Sequence, residues 1–141
     1  MRDSMIHRGP DGGGTWTSND ARVGLGARRL AIIDLSHAAD QPVENEDGSI
    51  KLVYNGEIYN HREVRAELER LGSHTFRTDH SDTEMLVHAF EEWGIDCLHR
   101  MRGMFAFALW ASRSRQPCSV RDGAGPPPLH STLRHEPPAY A

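Results

Sequence analysis

The sequence predicts a layered domain of α/β or α+β type, and three features carry that prediction. Two apolar, β-branched-rich runs, "VGLGARRLAIIDL" (23–35) and "SIKLVY" (49–54), suit buried strands. A third run, "GMFAFALW" (103–110), is apolar at odd and even positions alike, as a strand covered on both faces must be. Between them, "SDTEMLVHAFEEWG" (81–94) has the period of an amphipathic helix. Strands covered on both sides and helices with one apolar face can bury those surfaces only by stacking in layers.

In chain order, "HRGPDGGG" (7–14) reads as a glycine-rich turn; it lacks the Gly-Lys-Ser/Thr of a phosphate loop. The strands over 23–35 and 49–54 follow. Asn60 is a plausible N-cap for a helix in which Val64, Leu68 and Leu71 fall at helical spacing and Gly72 closes the segment. In the next helix Ser81 and Glu84 have capping-box spacing, Met85, Ala89, Phe90 and Trp93 make the apolar face, and Gly94 follows its end. A short helical piece, "IDCLHRM", leads into the last strand. Beyond Ala111 the composition changes, with six prolines and few apolar residues, so 111–141 is expected to form few ladders and to be poorly ordered.

Composition narrows the function classes. The 141 residues suffice for one ordinary domain, and 38% hydrophobic content permits a real core. Sixteen basic against twenty acidic residues give a net charge of −4 and no basic stripe, so no nucleic-acid partner is expected. No apolar run approaches bilayer length, so no membrane partner is expected, and the expected location is cytoplasmic. Cys97 and Cys118 are too isolated for a disulfide framework. The nine histidines show no close ligand spacing, so no metal site is expected.

The polar residues at strand and helix ends admit two accounts each. Asn55-Gly56 has the composition of a tight hairpin turn. Yet Glu57-Ile58-Tyr59 is short for a return strand before Asn60 begins a helix. Alternatively, an amide side chain and an unhindered glycine N–H would together make an oxyanion hole. Arg28 and Arg29 fall on opposite faces of a strand, so one of them is expected to be buried, where a carboxylate would suit its fork. The other account places that Arg at a sheet edge or beside an Asp. Asp82 opens its helix and needs no role beyond satisfying free backbone donors. Taken together, a cation, two carboxylates and an amide–glycine pair suit a free amino acid.

In order along the chain, "HRGPDG", "RRLAIIDLS", "QPVENEDGSIKLVYNGEIYNHREVRAEL", "SDTE", "EEWG" and "RMRGMFAFALW" closely resemble the glutaminase domain of glutamine-hydrolysing asparagine synthetases. These are class II glutamine amidotransferases with the N-terminal-nucleophile hydrolase fold. The match runs from about Met5 to Trp110. It implies an α+β, four-layer αββα architecture, here incomplete, with two antiparallel sheets between helical layers. It also implies that Arg29 binds the glutamine α-carboxylate, that Asn55 and Gly56 form the oxyanion hole, and that Glu57 and Asp82 hold the ammonium or carboxamide end.

Three departures qualify the resemblance. The family begins Met-Cys-Gly and attacks with that cysteine, whereas this chain has Arg2. The family's first strand has no counterpart before "MIHRGPDG", so 1–110 is expected to be a partial domain and the exposed sheet edge a pairing hazard. "VRDGAGPPPLHS" matches the family's closing segment only loosely, and no synthetase domain is present, so ATP and magnesium would belong to that missing part. The expectation is a fragment of an asparagine synthetase-type glutamine amidotransferase that does not hydrolyse glutamine alone. The alternative is a nucleophile-less module binding glutamine or a partner chain. Glutamine is the expected ligand, and a synthetase domain or chain supplying the missing strand the expected partner.

Overall fold

Nine residues from Ile50 to Ile58 alternate between buried and more open positions up to Tyr54, and Ile58 is buried again. In the computed structural model, which describes residues 12–29, 41–78, 80–113 and 116–121, they form one strand. The other strands are β1 (Gly12–Thr17), β2 (Gly24–Arg29), β3 (Val43–Glu44), β5 (Gly103–Ala111) and β6 (Gln116–Arg121), with Ile50–Ile58 as β4. Helix α1 spans His61–Leu71, α2 spans Asp82–Trp93, and a 3-10 helix covers Gly94–Arg100.

Among the described residues there are two antiparallel sheets, one of β1 and β2, the other in the order β3-β4-β5-β6. β4 and β5 pair along their whole length, from Ile50 opposite Ala111 to Ile58 opposite Gly103. Alternation therefore sends Leu52, Tyr54 and Ile58, with Phe105, Phe107 and Leu109, to one face. There they form a core with Val64 and Leu68 of α1 and Met85, Leu86 and Ala89 of α2. Burying each such side chain contributes about 1.5–3 kcal/mol relative to leaving it exposed. The opposite face meets the small sheet, where Trp16 of β1 packs against Trp110 of β5 with ring centroids 6.2 Å apart. The apolar-all-round pattern of residues 103–110 thus has its cause over most of the strand: helices cover one face of β5 and Trp16 packs on the other at Trp110, while Met104 at its start is 50% exposed.

Several expectations are corrected. Gly12–Gly14, expected in a turn, open strand β1, and residues 7–11 lie outside the described residues. Of the strand expected over 23–35, Gly24–Arg29 is strand, and 30–35 lie outside the described residues. Leu71 is 51% exposed rather than core, because α1 ends there at Gly72, whose φ of 73° needs glycine's freedom. Asn60 precedes α1 but makes no side-chain cap. Its amide instead donates to the Arg100 carbonyl at 2.8 Å and accepts from the Arg102 N–H at 2.7 Å, tying α1's start to the entry of β5.

The capping box is half formed. Ser81 Oγ accepts from the Glu84 N–H at 3.1 Å, but the Glu84 carboxylate turns to the preceding loop. Part of the Pro-rich end, expected to form few ladders, does pair as a strand. Gln116–Arg121 pairs with β5, and Pro117 is tolerated because β6 is an edge strand. Residues 122–141 lie outside the described residues.

Candidate functional site

Asn55-Gly56 is not a hairpin turn. Both residues lie within β4, Asn55 opposite Ala106 and Gly56 opposite Phe105. The backbone at Gly56 has φ of 141°, a value that side chains disfavour. A Cβ there would collide with the Met104 carbonyl oxygen and lie 2.5 Å from Phe105 Cα. Only glycine lets β5 approach this closely. Asn55, Gly56 and Glu57 are all exposed, so this stretch of β4 presents an amide, a bare backbone and a carboxylate to solvent.

Asp82 reaches the same stretch from the helical side. Its Oδ2 accepts from the Tyr54 hydroxyl at 2.6 Å and from the Ile58 N–H at 3.3 Å. The two donors flank Gly56 in sequence, so α2 is tied to β4 on either side of it. Burial, then the negative charges of Asp82 and Glu57, push the Tyr54 phenol far above its ordinary pKa. It therefore remains a donor at every physiological pH.

The loop entering α2 is fixed by a buried acid. Glu84, 8% exposed, accepts from the Arg77 N–H at 2.6 Å, the Thr78 N–H at 2.9 Å and the Thr78 hydroxyl at 2.6 Å. Arg65 of α1 donates to the Thr78 carbonyl at 2.5 Å and stacks 4.1 Å from the Phe76 ring centre. Asp82 thus stands on a helix start whose approach is held by both helices.

Arg29 ends β2, its backbone in register with Gly12; its side chain lies outside the described residues. Arg28 is half-buried, and its Nε is buried with no hydrogen-bond partner. The structure thus ties Asp82 to β4 at Tyr54 and Ile58, on either side of the exposed Asn55, Gly56 and Glu57, while the Arg29 side chain lies outside the described residues. Sequence reasoning missed Tyr54 and read Glu84 only as half of a capping box. The signal for Glu84 was its helix register, which sets an acid among the apolar residues Met85, Leu86 and Val87.

Neither cysteine has the lowered pKa of an activated thiol. Cys97 is fully buried, and burial, with Cys118 and Asp96 nearby, pushes its thiol up to about 12. Burial raises Cys118 also. Both pack with the core on the helical side of the sheet. Among the described residues the site therefore offers donors, acceptors and access for an oxygen-bearing ligand, without a thiolate.

Two antiparallel sheets in contact, helices against the larger one and a polar floor on its central strand define a class of protein. The glutamine phosphoribosylpyrophosphate amidotransferase of Bacillus subtilis shares this fold. It superposes with a TM-score of 0.59 at 21% identity, covering 78% of this chain and 31% of that one. The fold is that of the class II amidotransferases, the N-terminal-nucleophile hydrolase architecture expected from the sequence.

The chain belongs to the glutamine amidotransferase domain family, whose model matches residues 1–141. Among curated proteins it is similar to asparagine synthetase [glutamine-hydrolyzing] 1 of Bacillus subtilis, 42% identical over 132 residues, covering 94% of this chain and 20% of that protein. It is likewise similar to a probable asparagine synthetase [glutamine-hydrolyzing] of Dictyostelium discoideum, 44% identical over 130 residues, 92% of this chain and 23% of that protein. The chain thus spans about a fifth of the length of the curated relatives it matches.

Proposed function

We propose that this chain carries the glutamine-binding part of a class II glutaminase site of asparagine synthetase type. One observation supports the reading above others: Asn55, Gly56 and Glu57 lie exposed on β4, and Asp82 is bonded to that strand on both sides of Gly56. In this reading Asn55 and Gly56 donate to the carboxamide oxygen, Arg29 pairs with the α-carboxylate, and Glu57 and Asp82 receive the nitrogen ends. The carboxamide is bound but not cleaved by the 141 residues. Losing one oxyanion donor already costs about 10²–10³ in turnover, and among the described residues both thiols pack on the helical side of the sheet with raised rather than lowered pKa.

In the full setting, ammonia released at this site would pass to a synthetase portion that uses ATP and magnesium, in a cytoplasmic enzyme. The lengths of the relatives support such a partner portion.

Calorimetric titration of the 141-residue chain with L-glutamine tests the reading. Saturable binding is expected, weakened at least about tenfold in Arg29→Ala, the loss of roughly 1.4 kcal/mol that one charge-assisted pair readily supplies. No ammonia should form over background. Absence of binding, or binding indifferent to Arg29→Ala, would refute the assignment; ammonia release would refute the absence of a nucleophile.

A further inference from the structure

We propose that His74, His88 and Glu91 form a binding site for one divalent cation of the zinc type, toward the end of α2 opposite Asp82. His88 is 2% exposed, and its Nδ1 is buried with no hydrogen-bond partner. Leaving such an atom unsatisfied costs about 1–3 kcal/mol, so something other than the protein's own donors and acceptors is wanted there. Glu91 Oε2 lies 3.8 Å from His88 Nδ1 and 3.7 Å from His74 Nδ1. Those separations are too long for hydrogen bonds. They are close to what ligands sharing one ion require, since zinc bonds of about 2.0–2.2 Å set tetrahedral ligand atoms roughly 3.3–3.6 Å apart. The three side chains offer ligand atoms that all lie within 4.8 Å of one another.

The surrounding contacts orient these groups. Glu91 Oε1 accepts from Asn45 Nδ2 at 3.0 Å, which leaves Oε2 to face the imidazoles. Asn45 is itself 2% exposed and fixed by the Ile50 N–H, which donates to its Oδ1 at 3.0 Å. His74 Nε2 lies 3.1 Å from Glu92 Oε2. That contact favours the tautomer with its proton on Nε2 and a lone pair on Nδ1, aimed toward Glu91 Oε2. A lone pair facing a carboxylate repels it unless positive charge sits between them, and a carboxylate behind the far ring nitrogen is a usual support for a metal-ligating histidine.

Glu46 offers a fourth ligand. Its Oε2 is 3.9 Å from His88 Nδ1, while its Oε1 accepts from the Thr75 N–H at 2.9 Å. Two imidazoles with carboxylates suit zinc and its neighbours rather than magnesium or calcium, which prefer all-oxygen sets. Such an ion would pin the loop after α1, the turn after β3 and the middle of α2 to one point, independently of the glutamine site.

Titration of the full 141-residue chain with Co²⁺, followed by Zn²⁺, tests the proposal. One equivalent of Co²⁺ should give the visible absorption of a four- or five-coordinate site, which Zn²⁺ abolishes and Mg²⁺ leaves. Glu91→Gln keeps the volume of the side chain and should weaken Zn²⁺ binding at least about tenfold. Glu92→Gln, which alters the support behind His74 and none of the proposed ligands, should weaken it about 10–100-fold. No uptake of Co²⁺ would overturn the proposal. Uptake that both substitutions leave unchanged would overturn it equally, since the ion would then sit elsewhere.

Discussion

Gly56→Ala is expected to abolish the cooperative fold or come close to it. The added methyl group would collide with the Met104 carbonyl oxygen and lie 2.5 Å from Phe105 Cα and 2.8 Å from its Cβ. The first two are backbone atoms, so no flexible side-chain end can swing aside. The φ of 141° adds strain that alanine, unlike glycine, must bear. Relief requires β4 and β5 to part where Tyr54, Phe105 and Phe107 are buried. Strain and overpacking together amount to about 2–6 kcal/mol, against a stability of about 5–15 kcal/mol for an ordinary domain. Urea denaturation followed by circular dichroism should show the transition shifted far toward zero denaturant, or gone. A midpoint equal to that of the unaltered chain would show that β5 does not pass Gly56 so closely.

Glu84→Ala should have the next largest effect. It removes an acceptor from the Arg77 N–H, the Thr78 N–H and the Thr78 hydroxyl, in a place where the carboxylate is 8% exposed. Donors left without a partner in such surroundings cost about 1–3 kcal/mol. With the small cavity added, a loss of about 3 kcal/mol is expected. Glu84→Gln keeps one acceptor oxygen and should lose roughly half as much. Hydrogen exchange separates this account from a general loosening. The Arg77 and Thr78 amides should lose protection in Glu84→Ala while those of β4 and β5 keep most of theirs. Unchanged exchange at Arg77 and Thr78 would contradict the assigned bonds.

What could be read from the sequence was what local pattern controls. The "GMFAFALW" run announced a strand covered on both sides, and the period of 81–94 announced α2, because one surface decides each pattern. Gly72 and the Ser81 cap are local chemistry and were equally legible. β1 and β6 were not, because glycines at 12–14 and Pro117 carry turn signals that edge pairing overrides. Asn55-Gly56 was ambiguous for a related reason. The dipeptide that favours a tight turn is also the one that lets a neighbouring strand pass close, and only β5 decides between the two.

The proposed site comes from the sequence as a set of residue types, through the family resemblance. Its supports do not. Tyr54 bonds to Asp82 across twenty-eight positions, and nothing in the spacing of either residue points to the other. His74 and His88 meet because the loop after α1 folds back on α2, a contact no local pattern contains. His88 and Glu91 alone stand at helical spacing on one element.

The most direct test of the glutamine-binding assignment is amide chemical-shift mapping of the ¹⁵N-labelled chain during titration with L-glutamine. The account predicts saturable shifts at the Asn55 side-chain amide, the Gly56 backbone amide and the first turn of α2 around Asp82. D-glutamine, which cannot set its carboxylate and ammonium in the same places, should produce much smaller ones. Shifts confined to the recess lined by Ser49, Phe90 and Arg113, or no shifts with millimolar glutamine, would contradict it.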